Sequence, residues 1–106
     1  MSRVVIEPGS PADAPRIAHI CRDEIELGLG WRWRAGAVAR MMSRPDTEVA
    51  VARAPGGLTA GFGILELGPE DAELVLLAVD PRVRRRGIGR DLLGFLEAEA
   101  RVAGIG

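Results

Sequence analysis

Apolar and polar positions along the chain fall into short elements with different periods. Arg3 to Glu7 holds a Val-Val-Ile run that predicts a strand. Ser10-Pro11-Ala12-Asp13 then has the grammar of a helix start: a capping hydroxyl, proline at the first helical position, and an acid three residues after the cap. That helix is expected to run to about Leu27, with Ile17, Ile20, Cys21 and Ile25 on one face and His19 on the opposite, solvated side. Gly28-Leu29-Gly30 ends it. Trp31-Arg32-Trp33-Arg34 leads into a second helical stretch, Ala35 to Ser43, which Pro45-Asp46 stops.

The period then changes. Thr47 to Arg53 alternates loosely as a strand, Pro55-Gly56-Gly57 is a turn, and Leu58 to Leu67 returns as the second arm of a hairpin. Gly61 and Gly63 weaken that arm and predict a bulge or a close backbone approach near Phe62. Gly68-Pro69-Glu70-Asp71 turns into Ala72 to Val79, so three successive strands form an antiparallel meander. Leu74 to Val79 has no polar alternation. Both its faces should be covered, which places this strand at the centre of the sheet. Beyond it, Ile88, Leu92, Leu96 and Ala100 recur every fourth residue, with Arg90, Asp91, Glu97 and Arg101 outside the stripe and Gly104 as a C-cap.

Composition bounds the class of molecule. A chain of 106 residues with 47% hydrophobic and 27% charged positions is one globular domain. Its net charge of -1 argues against a general nucleic-acid binder, so any basic site must be local. All 14 basic residues are arginine, and there is no Lys, Asn, Gln or Tyr. The single Cys21 excludes an internal disulfide and a cysteine metal cluster, and His19 alone makes no histidine metal site. The N-terminal apolar run is too short for a signal peptide and the longest later run is far below a membrane span, so a cytoplasmic protein without membrane partners is expected.

The candidate chemistry lies between the fourth strand and the helix after it. Arg84-Arg85-Arg86-Gly87-Ile88-Gly89 is a phosphate-sized turn, and three phosphate-binding grammars compete for it. The P-loop requires a lysine, which the chain lacks, and the dinucleotide fingerprint requires a glycine where Leu92 stands. The turn, with Val79-Asp80-Pro81 before it, resembles the acetyl-coenzyme A signature of the GNAT N-acetyltransferases: Gln or Arg, two residues, Gly, any residue, Gly or Ala. Ala72-Glu73-Leu74 and Leu77 to Pro81 resemble that family's fourth strand, and the element order resembles its N-terminal two-thirds. Physically, Gly87 and Gly89 leave the backbone bare, so N–H groups from Arg85 to Arg90 converge on a pyrophosphate at a helix start.

The resemblance implies an α+β, three-layer acyl-CoA N-acyltransferase fold with a mixed, largely antiparallel sheet flanked by helices. It covers residues 1–106 as a single, C-terminally incomplete domain. It also implies acetyl-CoA as acyl donor, held by Arg84, Arg85, Arg86, Gly87, Ile88, Gly89 and Arg90, with the pantetheine arm pairing to Leu77, Ala78 and Val79. The Leu77 N–H would polarise the thioester carbonyl. The family's fifth strand, last helix and final hairpin are not matched. That leaves an open apolar strand edge, expected in a shortened or fragmentary chain or in a homo-oligomer whose second copy covers it.

Acyl transfer needs a neutral amine. Glu73 is the candidate general base because Ala-Glu-Leu resembles the histone-acetyltransferase branch, and partial burial would raise its pKa. The alternative is a solvated glutamate at a strand end. Asp80 and Glu66 are weaker candidates, and no Tyr is present to protonate the leaving thiolate. Trp31 and Trp33 either wall a substrate pocket or close the core beneath their loop. The reading is an acetyl-CoA-dependent N-acetyltransferase of small-molecule or protein amines; the alternative is a non-catalytic acyl-CoA-binding or assembly module.

Overall fold

The computed structural model describes residues 4–25, 33–83 and 87–104. The first strand, β1, spans Val5–Pro8. Asp13 then starts a helix from within: its carboxylate accepts the Ser10 backbone N–H at 2.8 Å, and a short 3-10 turn, Pro11–Asp13, feeds α1, Ala14–Ile20. The helix widens into a π-helical turn, Cys21–Ile25. Its predicted end at Leu27, the Gly28-Leu29-Gly30 stop and Trp31 lie outside the described residues, as does the Ile25 side chain. The second helix, α2, is Ala35–Met42. Three strands follow, β2 at Thr47–Arg53, β3 at Thr59–Leu67 and β4 at Ala72–Val79, and then α3 at Ile88–Val102.

The sheet order is β1-β2-β3-β4, with each pair antiparallel. The parallel part of the expected mixed sheet does not occur among the described residues. Helices cover both faces. Ile17, Ile20, Cys21 and Val38 from α1, α2 and the turn between pack on Val51, Phe62, Ile64, Leu76 and Ala78. On the other face the whole predicted stripe of α3, Ile88, Leu92, Leu96 and Ala100, packs on Ala50, Ala52 and Leu65. This is the three-layer arrangement expected of the fold class. His19 is exposed, and Cys21 is fully buried in the core.

The centre of the sheet is not where the apolar run suggested. β3 is buried along its first seven positions, whereas β4 is the outermost strand of the described sheet and exposes Ala72, Glu73 and Leu74. An apolar run reports that both faces of a strand are covered and carries no information about its lateral neighbours. The glycines that weaken β3 on propensity are what admit its neighbours. A Cβ at Gly61 would lie 3.0 Å from the Ala78 carbonyl oxygen, and one at Gly63 2.8 Å from Leu96 Cδ1. The close approach expected near Phe62 is therefore present, and a bulge leaves Ala60 without a partner between the pairs Ala52–Gly61 and Arg53–Thr59.

Candidate functional site

The joint between β4 and α3 is built from the strand outward. Asp80 follows β4 directly, and its N–H donates to Ala60 O at 2.7 Å. Its carboxylate Oδ1 accepts the Arg82 backbone N–H at 2.9 Å and so turns the chain into a 3-10 segment, Pro81–Val83. Oδ2 accepts Arg82 Nη2 at 2.6 Å and Arg16 Nη2, reaching over from α1, at 2.8 Å. Arg16 Nε donates to Thr59 O at 3.2 Å. The Asp80 side chain is only 10% exposed. The Arg82 hydrogen bond is the main reason its carboxyl lies well below the usual range; it outweighs burial, and Arg16 adds to it. A carboxylate held ionised this firmly is a poor proton acceptor, which removes Asp80 as a general base.

On the far side of the turn, Gly87 is the N-cap of α3 at φ 70°, ψ 17°, a left-handed conformation that favours glycine. The first helical bond runs from Asp91 N to Gly87 O at 3.0 Å. The N–H groups of Ile88, Gly89 and Arg90 therefore have no intrahelical acceptor, as in the first turn of any helix. A Cβ at Gly87 would lie 3.4 Å from Arg90 Nη2, so that guanidinium folds back over the helix start. At Gly89 the nearest atom, Val79 Cγ2, would be 3.9 Å away, so packing leaves room there for a side chain the sequence does not supply. Arg84, Arg85 and Arg86 lie outside the described residues.

β4 has an outer edge with a definite register. The Asp80 N–H bond to β3 and the pairs Phe62–Ala78 and Gly63–Leu77 set the alternation of its backbone groups. By that alternation Ala78 N–H points to β3 and Leu77 N–H points away from it. Leu76 and Ala78 are buried on the α1 and α2 face, while Leu77 and Val79 are half-buried on the α3 face. Two residues before Leu77 the ladder breaks: Ile64 pairs with Leu76 and Leu65 with Leu74, so Val75 is a bulge. Val75 and Leu76 consequently both pack toward α1 and α2. Nothing in the apolar run marked this bulge, because every residue of it is apolar.

Glu73 stands at the start of β4, directly across from Glu66. It is exposed, so the partial burial expected of it is absent. Glu66 lies 3.5 Å from Arg44 Nη1, and the two are half-exposed. Trp33 is half-buried against the α1 and α2 core, as a residue closing that layer. The structure thus gathers Leu77 to Val79 and Gly87 to Arg90 at one end of β4 and leaves Glu73 at the other. On the order of 20 Å of strand separates Glu73 from Val79. Sequence reasoning missed the Arg16–Asp80–Arg82 cluster; its trace was Asp80 directly before Pro81, a turn signal whose partner in α1 no local pattern names.

A four-stranded antiparallel sheet thus lies between helix layers, and its last strand runs into a glycine-lined helix start. The acetyltransferase (GNAT) domain profile matches residues 45–106, and the chain belongs to that family. It is 37% identical over 86 residues to the N-alpha-acetyltransferase RimI of Mycobacterium tuberculosis, covering 77% of this chain and 52% of that protein. It spans 26% of an uncharacterised Mycobacterium leprae protein, to which it is 36% identical over 97 residues and 88% of its own length. The chain thus spans about half or less of the length of these curated relatives. Among solved structures, the ribosomal-protein-S18-alanine N-acetyltransferase of Escherichia coli superposes with a TM-score of 0.77 at 26% identity, over 97% of this chain and 63% of that one. The Thermoplasma acidophilum PaiA N-acetyltransferase in complex with coenzyme A shares the fold at a TM-score of 0.79, with 19% identity, over 97% of this chain and 75% of that one.

Proposed function

We propose that this domain binds acetyl-CoA along β4 and at the start of α3, and transfers the acetyl group to a primary amine. The observation that carries the reading is the joint itself: bare N–H groups at Ile88, Gly89 and Arg90 follow a strand edge on which the Leu77 N–H points outward. The pyrophosphate takes the helix start, where N–H groups and the helix dipole favour an anion and Arg84, Arg85, Arg86 and Arg90 add positive charge. The pantetheine arm extends along Leu77, Ala78 and Val79 like an added strand. The amine nitrogen attacks the thioester carbon, the carbonyl oxygen gathers negative charge on the Leu77 N–H, and the C–S bond breaks as the amide forms. Glu73 or water takes the amine proton, and the thiolate leaves as coenzyme A, to be protonated by water.

Glu73 and Trp33 both belong to the α1 and α2 side of the sheet, so the acceptor approaches there, with Trp31 and Trp33 as walls. An exposed base favours an amine that needs little help in losing its proton. An α-amine is about one part in ten neutral at pH 7, against roughly one in two thousand for a lysine side chain. A protein N-terminus is therefore the acceptor best suited to this site, in keeping with the names of its two N-alpha- and alanine-acetylating relatives. A second copy covering the outer edge of β4 would complete the slot, and light scattering reads that directly.

Calorimetry with acetyl-CoA tests the reading; a folded protein that shows no binding at millimolar ligand overturns it. The exposure of Glu73 also favours a second reading, a non-catalytic acyl-CoA-binding module. Thiol release with N-terminal peptides separates the two. Turnover, lost in Glu73→Gln with binding retained, supports catalysis; binding without turnover supports the module.

A further inference from the structure

The Arg16–Asp80–Arg82 cluster lies at the one place where the strand that would carry the pantetheine arm meets the turn that would carry the phosphates. Its carboxylate, nine-tenths buried, receives two guanidinium groups and one backbone N–H. Two of these partners belong to Arg82, the second residue of the turn, and the third to Arg16 of α1. The same residue's N–H is fixed to β3 through Ala60 O, and Arg16 is fixed to Thr59 O beside it. Asp80 thus ties three bodies together: the inner strand β3, the first helix and the chain that leaves β4. The cluster also borders an open cleft of about 270 Å³ lined by Arg16, Ile20, Asp23, Asp80, Pro81 and Arg82.

We infer that Asp80 is a positioning residue for the phosphate site: it sets the angle at which the turn leaves β4, and so where the α3 N–H groups stand relative to the arm-pairing edge. The inference rests on the coenzyme A reading above and adds to it a residue outside the glycine signature. A binding site made of a strand edge and a helix start works only if the two halves are held at one spacing, because a displacement of about 1 Å is enough to cost a large factor in a preorganised site. Gly87 supplies the bend at one end of the turn, and Asp80 supplies the anchor at the other. Asp80 touches no substrate, so its effect reaches the ligand through the chain geometry.

Two probes isolate that role. Coenzyme A uses both halves of the site, whereas pantetheine, which has the arm and no pyrophosphate, uses the strand edge alone. Asp80→Ala removes the acceptor for the Arg82 N–H and both ion pairs; Asp80→Asn keeps a neutral acceptor. Titrations followed by NMR, on variants that circular dichroism shows to be folded, give the two affinities. Asp80→Ala is expected to weaken coenzyme A about tenfold or more, and Asp80→Asn about threefold, with pantetheine within about twofold of wild type in each. If Asp80→Ala does not fold, the coenzyme A to pantetheine ratio of Asp80→Asn carries the test. Equal losses for the two ligands, or an unchanged coenzyme A affinity in a folded variant, overturn the inference and leave the coenzyme A reading standing. A wild-type protein that binds neither ligand overturns that reading, and the inference with it.

Discussion

The two ends of β4 are built in opposite ways. At the C-terminal end Leu76 and Ala78 are buried, Leu77 and Val79 are half-covered by α3, and Asp80 is held by arginines from two elements. At the N-terminal end Ala72, Glu73 and Leu74 are exposed, and an open groove of about 440 Å³ lies on the α3 face, with Leu65, Ala72, Leu74 and Leu93 among the residues lining it. The Val75 bulge is the border between the two. Carboxylates at the two ends are displaced in opposite directions. Arg82 lowers Asp80 despite its burial, whereas Glu48, two strands away from β4 at the level of Leu65 and Leu74, is raised by burial first and by the Glu99 charge second. One strand is therefore packed and charge-paired at its C-terminal end and exposed at its N-terminal end.

The largest effects should come from testing that asymmetry through the core. Leu76→Ala, at a position 8% exposed, should cost about 2–4 kcal/mol, while Leu74→Ala, at 39% exposed, should cost less than about 1. Equal costs in urea denaturation would mean that the two ends are packed alike. Next is the Asp80 anchor. Asp80→Asn should lose about 2 kcal/mol at pH 7. Because the folded carboxyl lies below its ordinary value of 3.8, the stabilisation is full above that value and fades as pH falls through the lower, folded one. Wild type and variant should therefore converge in acid; a difference that stays constant there removes the ion pairs as its cause.

The glycines of the signature should separate stability from binding. Gly87→Ala should cost about 1 kcal/mol, because φ 70° is strained for alanine, and should weaken coenzyme A as well. Gly89→Ala meets only an ordinary contact and should be neutral or stabilising by a few tenths of a kcal/mol, yet still weaken coenzyme A. If Gly89→Ala binds as wild type, the ligand does not approach that backbone. The smallest effect is on β2: Glu48→Gln should be slightly stabilising at pH 7. The folded carboxyl is raised above 4.5, so its charge opposes folding at neutral pH, and the gain should vanish as pH falls through the raised value.

Much of this was legible before any fold was known. The α3 stripe, the helix start at Ser10 to Asp13 and the bounds of β2 and β4 follow from local periods and capping chemistry, which depend on neighbours a few residues apart. Gly87 at the start of α3 was legible for the same reason, as were the close contacts at Gly61 and Gly63. Other features were not. Arg53 binds Glu7, Asp13 and Thr59 across β1, β2, β3 and the helix start, and no spacing in the chain announces that network. The partial burial expected of Glu73 failed because exposure at a strand end is decided by what packs over it.

By itself, the sequence determined the order and type of the elements, the buried stripe of α3, and a glycine at the start of that helix, since each is written in residues that are adjacent or one helical turn apart. Only the tertiary structure decided that β3 is an inner strand and β4 the outermost of the described sheet, that Val75 is a bulge, that Leu77 directs its N–H outward, and that Arg16 meets Asp80. These depend on register and on contacts between residues far apart in the chain, where a shift of one position sends every side chain to the opposite face.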